Sequence, residues 1–157
     1  MLENCQSAQE RWGGVSEIID RWLKERQELI VDFCGITTSV DTFENIEEDG
    51  RAANLKDFCQ ILVDYVSAGH FEVYEQLMKE GQAFNDKQAL REAANLYNCI
   101  DDTTEKLLDF NDKYLETDDL ETLEDDLSKV GQFLETRFEA EDRMIEVLHV
   151  AHKDQVM

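Results

Sequence analysis

A chain of 157 residues with no proline and only seven glycines has few means of turning its backbone sharply. β-rich and loop-rich folds need such turn formers at short intervals, whereas long helices are interrupted by them. Long helices joined by few connections are therefore the expected elements. The length suits one domain, since domains cluster near ~100 to 150 residues. A hydrophobic share of 42% is enough to build a core, although 33% of the residues are charged.

Apolar residues recur at one-face helical spacing in four segments. Val15, Ile18, Ile19, Trp22, Leu23, Leu29, Ile30 and Phe33 predict a helix over 15–34. Gly13-Gly14 separates it from a short helical extension over 2–12, and Gly35 offers a stop. Leu55, Phe58, Leu62, Tyr65, Val66, Gly69, Val73 and Leu77 predict a second helix over 54–80, ended by Gly81. A third over 86–115 follows Asn85, whose spacing to Gln88 resembles a capping box, and carries Leu90, Ala93, Tyr97, Ile100, Leu107, Leu108 and Leu115. A fourth over 119–152 follows the cap cluster Thr117-Asp118-Asp119, with Leu120, Leu123, Leu127, Val130, Leu134, Phe138, Ile145 and Leu148. The stretch 35–53 is polar and acidic, with room for one short helix over 43–48. The predicted architecture is all-α: a single domain over 1–157, an antiparallel up-down four-helix bundle with long helices and a short N-terminal extension.

Thirty-seven acidic residues against 15 basic ones give a net charge of −22, so phosphate backbones and anionic membranes are repelled. Neither direct nucleic-acid binding nor membrane binding is expected. The charge either keeps the chain in solution or steers it toward a basic protein. Cys5, Cys34, Cys59 and Cys99 lack the spacing of a zinc or redox motif and read as reduced thiols of a cytoplasmic protein. The N-terminal Met-Leu-Glu-Asn-Cys-Gln has neither the basic start nor the apolar run of a signal peptide.

Two sets of residues break the expected pattern. Arg26 sits in the apolar stripe of the first helix and Glu141 in that of the fourth. With those helices paired as antiparallel neighbours, each lies roughly 16 Å from the shared end, so the two meet at one level. A lone buried arginine would cost several kcal/mol, so a pair with Thr104 or Tyr65 nearby is the sensible arrangement. Such a polar layer either fixes helix register or forms a cavity for a ligand. On the second helix, Ile61, Asp64, Ala68, Phe71 and Glu75 share a face opposite the core stripe. An apolar anchor edged by carboxylates suits a basic, partly hydrophobic partner; otherwise Phe71 packs beneath the connection after Gly35.

Catalytic and metal signatures are weak. Only Glu146 to His149 has the Glu-x-x-His spacing of a di-iron bundle, and His70, His149 and His152 are too few for a histidine-rich centre. His149 and His152 read as a frayed, solvated helix end. No phosphate loop, nucleophile elbow or HExxH sequence is present. Ser67 and His70 lie one turn apart without an orienting group, and His70 reads as a half-buried packing residue. No enzyme, cofactor or metal is expected.

The run Asp57-Phe58-Cys59-Gln60-Ile61-Leu62-Val63-Asp64-Tyr65-Val66-Ser67-Ala68-Gly69-His70-Phe71-Glu72-Val73-Tyr74-Glu75 resembles the signature segment of the Rsd/AlgQ family, the regulators of sigma D. Asp20-Arg21-Trp22-Leu23 with Arg26, and Arg137-Phe138 with Glu141-Asp142, support the likeness. Trp12-Gly13-Gly14 and Val73-Tyr74-Glu75-Gln76 bring it nearer the AlgQ branch. The resemblance implies an anti-sigma factor that binds region 4 of the primary sigma factor, a basic helix-turn-helix module that recognises promoter DNA. Such binding would favour alternative sigma factors, and AlgQ-like members are associated with regulation of alginate and siderophore production. By carry-over Asp64 and its neighbours are contact candidates, with Phe71 and Glu75 added from the face. Arg26, His70, Arg137 and Glu141 match family positions and are candidates for the polar layer. A chain acting as a monomer is expected.

Overall fold

The computed structural model describes the backbone of residues 2–41, 48–116 and 120–152, and the side chains of 15–37, 55–116 and 120–151. Every regular element in them is helical: α1 (Leu2–Asp41), α2 (Glu48–Ala68), a π turn (Gly69–Val73), α3 (Tyr74–Ala83), α4 (Lys87–Glu116), α5 (Leu123–Leu148) and a 3-10 turn (Val150–His152). α2, the π turn and α3 follow one another without a break, so the described chain forms four long rods.

Several boundaries expected at glycines are absent. α1 runs through Gly13-Gly14 and through Gly35 to Asp41, so no separate short helix precedes residue 15. A glycine inside a helix costs ~1 kcal/mol relative to alanine, too little to stop a proline-free segment that is burying an apolar face. Gly81 lies inside α3, against Leu148 and Leu90, and the helix ends at Ala83. The short helix expected over 43–48 falls almost wholly on residues 42–47, outside the described set, and Glu48 begins α2.

The helix starts also differ from the expected caps. Asn85 makes the turn before α4 with a left-handed φ of 53°. Asp86 is the cap, its carboxylate accepting from the Ala89 amide at 3.0 Å. The cluster Thr117-Asp118-Asp119 lies outside the described residues. α5 begins at Leu123, with Glu124, Asp125 and Asp126 in its first turn, where the helix dipole favours anions.

The expected core stripe of α2 and its continuation is buried at every position from Leu55 to Leu77. α4 differs: Ala93, Ile100 and Leu107 are buried, but Tyr97, Leu108 and Leu115 face outward, and Thr103, Phe110 and Tyr114 fill the stripe instead. Trp22 stacks on Tyr65 at 5.0 Å, and Phe33 and Phe110 both pack on Phe58. Contacts run in descending register. Glu92, Thr104 and Lys113 of α4 meet Arg143, Arg137 and Asp126 of α5. Ser16, Arg26 and Phe33 of α1 meet His149, Asp142 and Gly131. No described helix is long and apolar enough to cross a membrane.

Candidate partner-binding face and the polar layer behind it

Glu141 stands at the centre of the buried layer, 1% exposed. Tyr65 donates to its Oε1 at 2.6 Å, and Tyr74 donates to its Oε2. Arg26 Nη2 lies 3.5 Å from Oε1 and Arg137 Nε 3.4 Å from Oε2. Burial pushes the Glu141 carboxyl up, against the opposing pull of Arg137, the two phenols and Arg26. Burial likewise raises both phenols, with the Glu141 charge adding to it, so they serve as hydrogen-bond donors.

Each arginine has further partners. Arg26 donates from Nε to the Tyr65 hydroxyl at 3.0 Å and from Nη1 to Asp142 at 2.5 Å. Its guanidinium lies over the Phe138 and Trp22 rings, 4.7 and 5.2 Å from their centroids. Arg137, fully buried, donates to the Ile100 carbonyl, the Thr103 and Thr104 hydroxyls and the Tyr74 hydroxyl at 2.7–3.2 Å. His70 joins the same set, with Nε2 3.0 Å from the Thr104 hydroxyl and Nδ1 3.4 Å from that of Tyr97. Burial, then the Arg137 charge, lowers the imidazole pKa, against a smaller pull from Asp101. The Thr104 hydroxyl donates to the Ile100 carbonyl at 3.1 Å, so in the neutral ring Nε2 donates to Thr104 and Nδ1 accepts from Tyr97. Arg26, His70, Arg137 and Glu141 thus lie in one connected network, together with Tyr65, Tyr74, Thr103, Thr104 and Asp142.

Tyr65 and Tyr74 are nine positions apart in sequence. In a regular α-helix, at about 100° per residue, side chains nine apart point to opposite sides. The π turn between them holds one extra residue, which rotates all that follows by about 100° and lets both phenols reach one carboxylate. Gly69 is required there: a Cβ would lie 2.8 Å from the Tyr74 hydroxyl and 3.4 Å from the Trp22 ring.

The same rotation changes the outer face. Phe71 is 78% exposed; the side chains of most of the connection after Gly35, beneath which it was alternatively expected to pack, lie outside the described residues. Asp64 is exposed and holds Gln60 at 3.0 Å, while Ile61 and Ala68 are half-buried beside it. Uniform helical spacing put Glu75 in line with Asp64, but the extra residue carries Glu75 off that line, where it pairs with Lys79 at 3.1 Å. Glu72 takes its place. Partial burial, then the charges of Glu72, Asp64 and Glu28, push the Glu25 carboxyl of α1 up, with Arg21 pulling the other way. Glu25 Oε2 is buried without a hydrogen-bond partner. Sequence reasoning missed both Glu25 and Glu72, because a fixed period cannot register a π turn and a single-helix wheel cannot show a neighbouring helix.

A second buried cluster was also misread. His149 is 5% exposed, not frayed into solvent: Nδ1 meets Glu80 at 2.8 Å and Nε2 meets the Ser16 hydroxyl at 3.1 Å. Glu80 is wholly buried, and the cluster ties the C-terminal ends of α3 and α5 to Ser16 within α1. The order hydroxyl, imidazole, carboxylate is that of a nucleophile, base and orienter. Ser16, however, sits inside α1, where the amides are committed to the helix and supply no oxyanion donors. The His152 side chain lies outside the described residues. Among the described residues no group of three or more His, Cys, Asp and Glu is placed to hold a metal. Cys59 is buried, and desolvation pushes its thiol up to about 11, which suits a packing residue.

Residues 1–149 match the profile of a family described as "Regulator of RNA polymerase sigma(70) subunit, Rsd/AlgQ". The chain is 34% identical over 161 aligned residues to proteins named "Regulator of sigma D" from Salmonella arizonae and Salmonella typhi, covering 98% of this chain and 95% of each relative. A protein of the same name from Salmonella newport matches with the same identity and coverage.

Proposed function

Because this chain belongs to the Rsd/AlgQ family of regulators of the RNA polymerase sigma(70) subunit, we propose that it is an anti-sigma factor that docks its Asp64–Phe71 face onto region 4 of the primary sigma factor. The observation that carries the reading is the orphaned carboxylate of Glu25, taken together with the exposed ring of Phe71. Glu25 has a buried oxygen without a partner and a carboxyl pushed up by partial burial and then by the charges of Glu72, Asp64 and Glu28, and Phe71, the residue before Glu72, is 78% exposed. A lysine or arginine from a partner relieves that repulsion, and an apolar pocket on the partner covers the ring. A basic helix-turn-helix module supplies both, and occupying its DNA-reading surface would favour alternative sigma factors. The proposed contact set is Ile61, Asp64, Ala68, Phe71 and Glu75, with Glu72 and Glu25 added and Glu75 at the edge.

The activity proposed is non-catalytic, carried out in the cytoplasm by a monomer acting as one domain. The descending registers support an antiparallel up-down bundle as its frame. A ligand held in the polar layer is the weaker reading: Arg26 Nη2 and Arg137 Nε are buried without a hydrogen bond, but each lies within 3.5 Å of a Glu141 oxygen, and both phenols donate to that carboxylate.

Asp64→Ala and Phe71→Ala are the direct test. Each should weaken capture of isolated sigma region 4, Phe71→Ala by about 2 kcal/mol or roughly 30-fold in Kd, with melting and helicity unchanged. Full binding by both variants would remove this face from the account.

A further inference from the structure

We infer that the buried polar layer is a positioning device for the outer face: Tyr74, Arg137, Glu141 and His70 hold the π turn, and the π turn sets Glu72 beside Asp64 and Glu25. The inference rests on the proposed role of that face.

A π turn has poorer hydrogen-bond geometry than an α-helix and persists where surrounding contacts over-determine it. Two pins, which meet at Arg137, do so here. At its C-terminal end Tyr74 is held by Glu141 and by Arg137, at 3.1 Å for the latter. Within the turn His70 is held by Thr104, and Thr104 in turn by Arg137 at 2.7 Å. Gly69 leaves the space in which the Tyr74 ring lies. Apolar side chains of similar volume would stabilise a core as well as such a network does. What they would lack is direction, because a Phe–Leu contact tolerates a rotated helix and a phenol bonded to one carboxylate oxygen does not.

Without the extra residue of the turn, everything from Glu72 onward would rotate by about 100° relative to α2. Glu72 would leave the line of Asp64 and the neighbourhood of Glu25, and Tyr74 would swing off Glu141. The carboxylate edge beside Phe71 is therefore a product of the layer, and sigma-binding affinity is coupled to groups that touch no partner. These are positioning residues.

The test uses the full chain as Tyr74→Phe, which removes only the hydroxyl shared by Glu141 and Arg137, and as Thr104→Val, which removes the other pin from α4. Leu107→Ala, in the core of α4, is the control for lost stability. Amide hydrogen exchange over 70–74 and affinity for isolated sigma region 4 are measured where all variants remain folded. Exchange in the turn should accelerate at least about tenfold over that in α4, and affinity should fall about tenfold in Tyr74→Phe and in the same direction in Thr104→Val. Leu107→Ala should keep wild-type affinity. Should one pin variant fail to fold, the other decides. Wild-type exchange and affinity in the pin variants, or an equal loss in Leu107→Ala, overturns the inference. A failure of the face itself reads differently: Asp64→Ala and Phe71→Ala bind normally, and the inference falls with it.

Discussion

Glu25 is worse placed in the folded chain than in the unfolded one. Desolvation comes first among the causes of its raised pKa, and the charges of Glu72, Asp64 and Glu28 follow. With the folded pKa above the unfolded one, the native state binds the proton more tightly, so stability falls as pH rises through the window between the two values and is regained on acidification. Glu25→Gln should therefore raise the melting temperature at pH 7, and its advantage should shrink on acidification as the wild-type carboxyl takes up its proton. The same substitution should weaken binding to a basic partner. A variant that melts lower than wild type at pH 7 would show that Glu25 has a native partner and is not held ready for one.

At the scale of elements, glycine and the π turn separate what periodicity reads from what it does not. The core positions of α2 were legible because an apolar stripe at helical spacing has one physical use, burial against a neighbour. Gly35 was misread as a stop because its propensity cost was weighed without the packing of the helix around it. It lies inside α1, and a Cβ there would meet nothing within 4 Å. Gly35→Ala should thus stabilise the chain by ~1 kcal/mol in denaturant melts; a helix that ended in a left-handed residue at this position would instead be destabilised. The π turn was illegible for a related reason: uniform rotation carries Tyr74 away from Tyr65, and only the shared carboxylate on α5 reveals that an extra residue is accommodated. The exchange of Glu75 for Glu72 on the outer face follows from that one residue. Arg26 and Glu141 were readable as a pair because a buried charge requires a partner, whereas Tyr74 falls off the stripe expected for the second helix and was not singled out. His149 failed because a histidine near a helix end has no sequence mark that distinguishes a solvated ring from one held by Glu80.

For the whole molecule, the charge of −22 now has two parts. Most of it is a diffuse field, which speeds encounter with a basic surface and is screened beyond about 8 Å at physiological salt. The local part is the edge of Asp64, Glu72 and Glu25, where the carboxylates repel one another, with the exposed Phe71 preceding Glu72 in the chain. Diffuse charge alone would let a basic partner settle anywhere on the molecule; the local edge requires one docking site. Site-specific photo-crosslinking separates the two most directly. A benzophenone amino acid is placed at Phe71 and, for comparison, at Leu115, which is 62% exposed at the far end of α4, and each protein is irradiated with RNA polymerase holoenzyme. The account predicts a crosslink from position 71 to the C-terminal region of the primary sigma factor and none from position 115. A crosslink from 115 with none from 71 would contradict it.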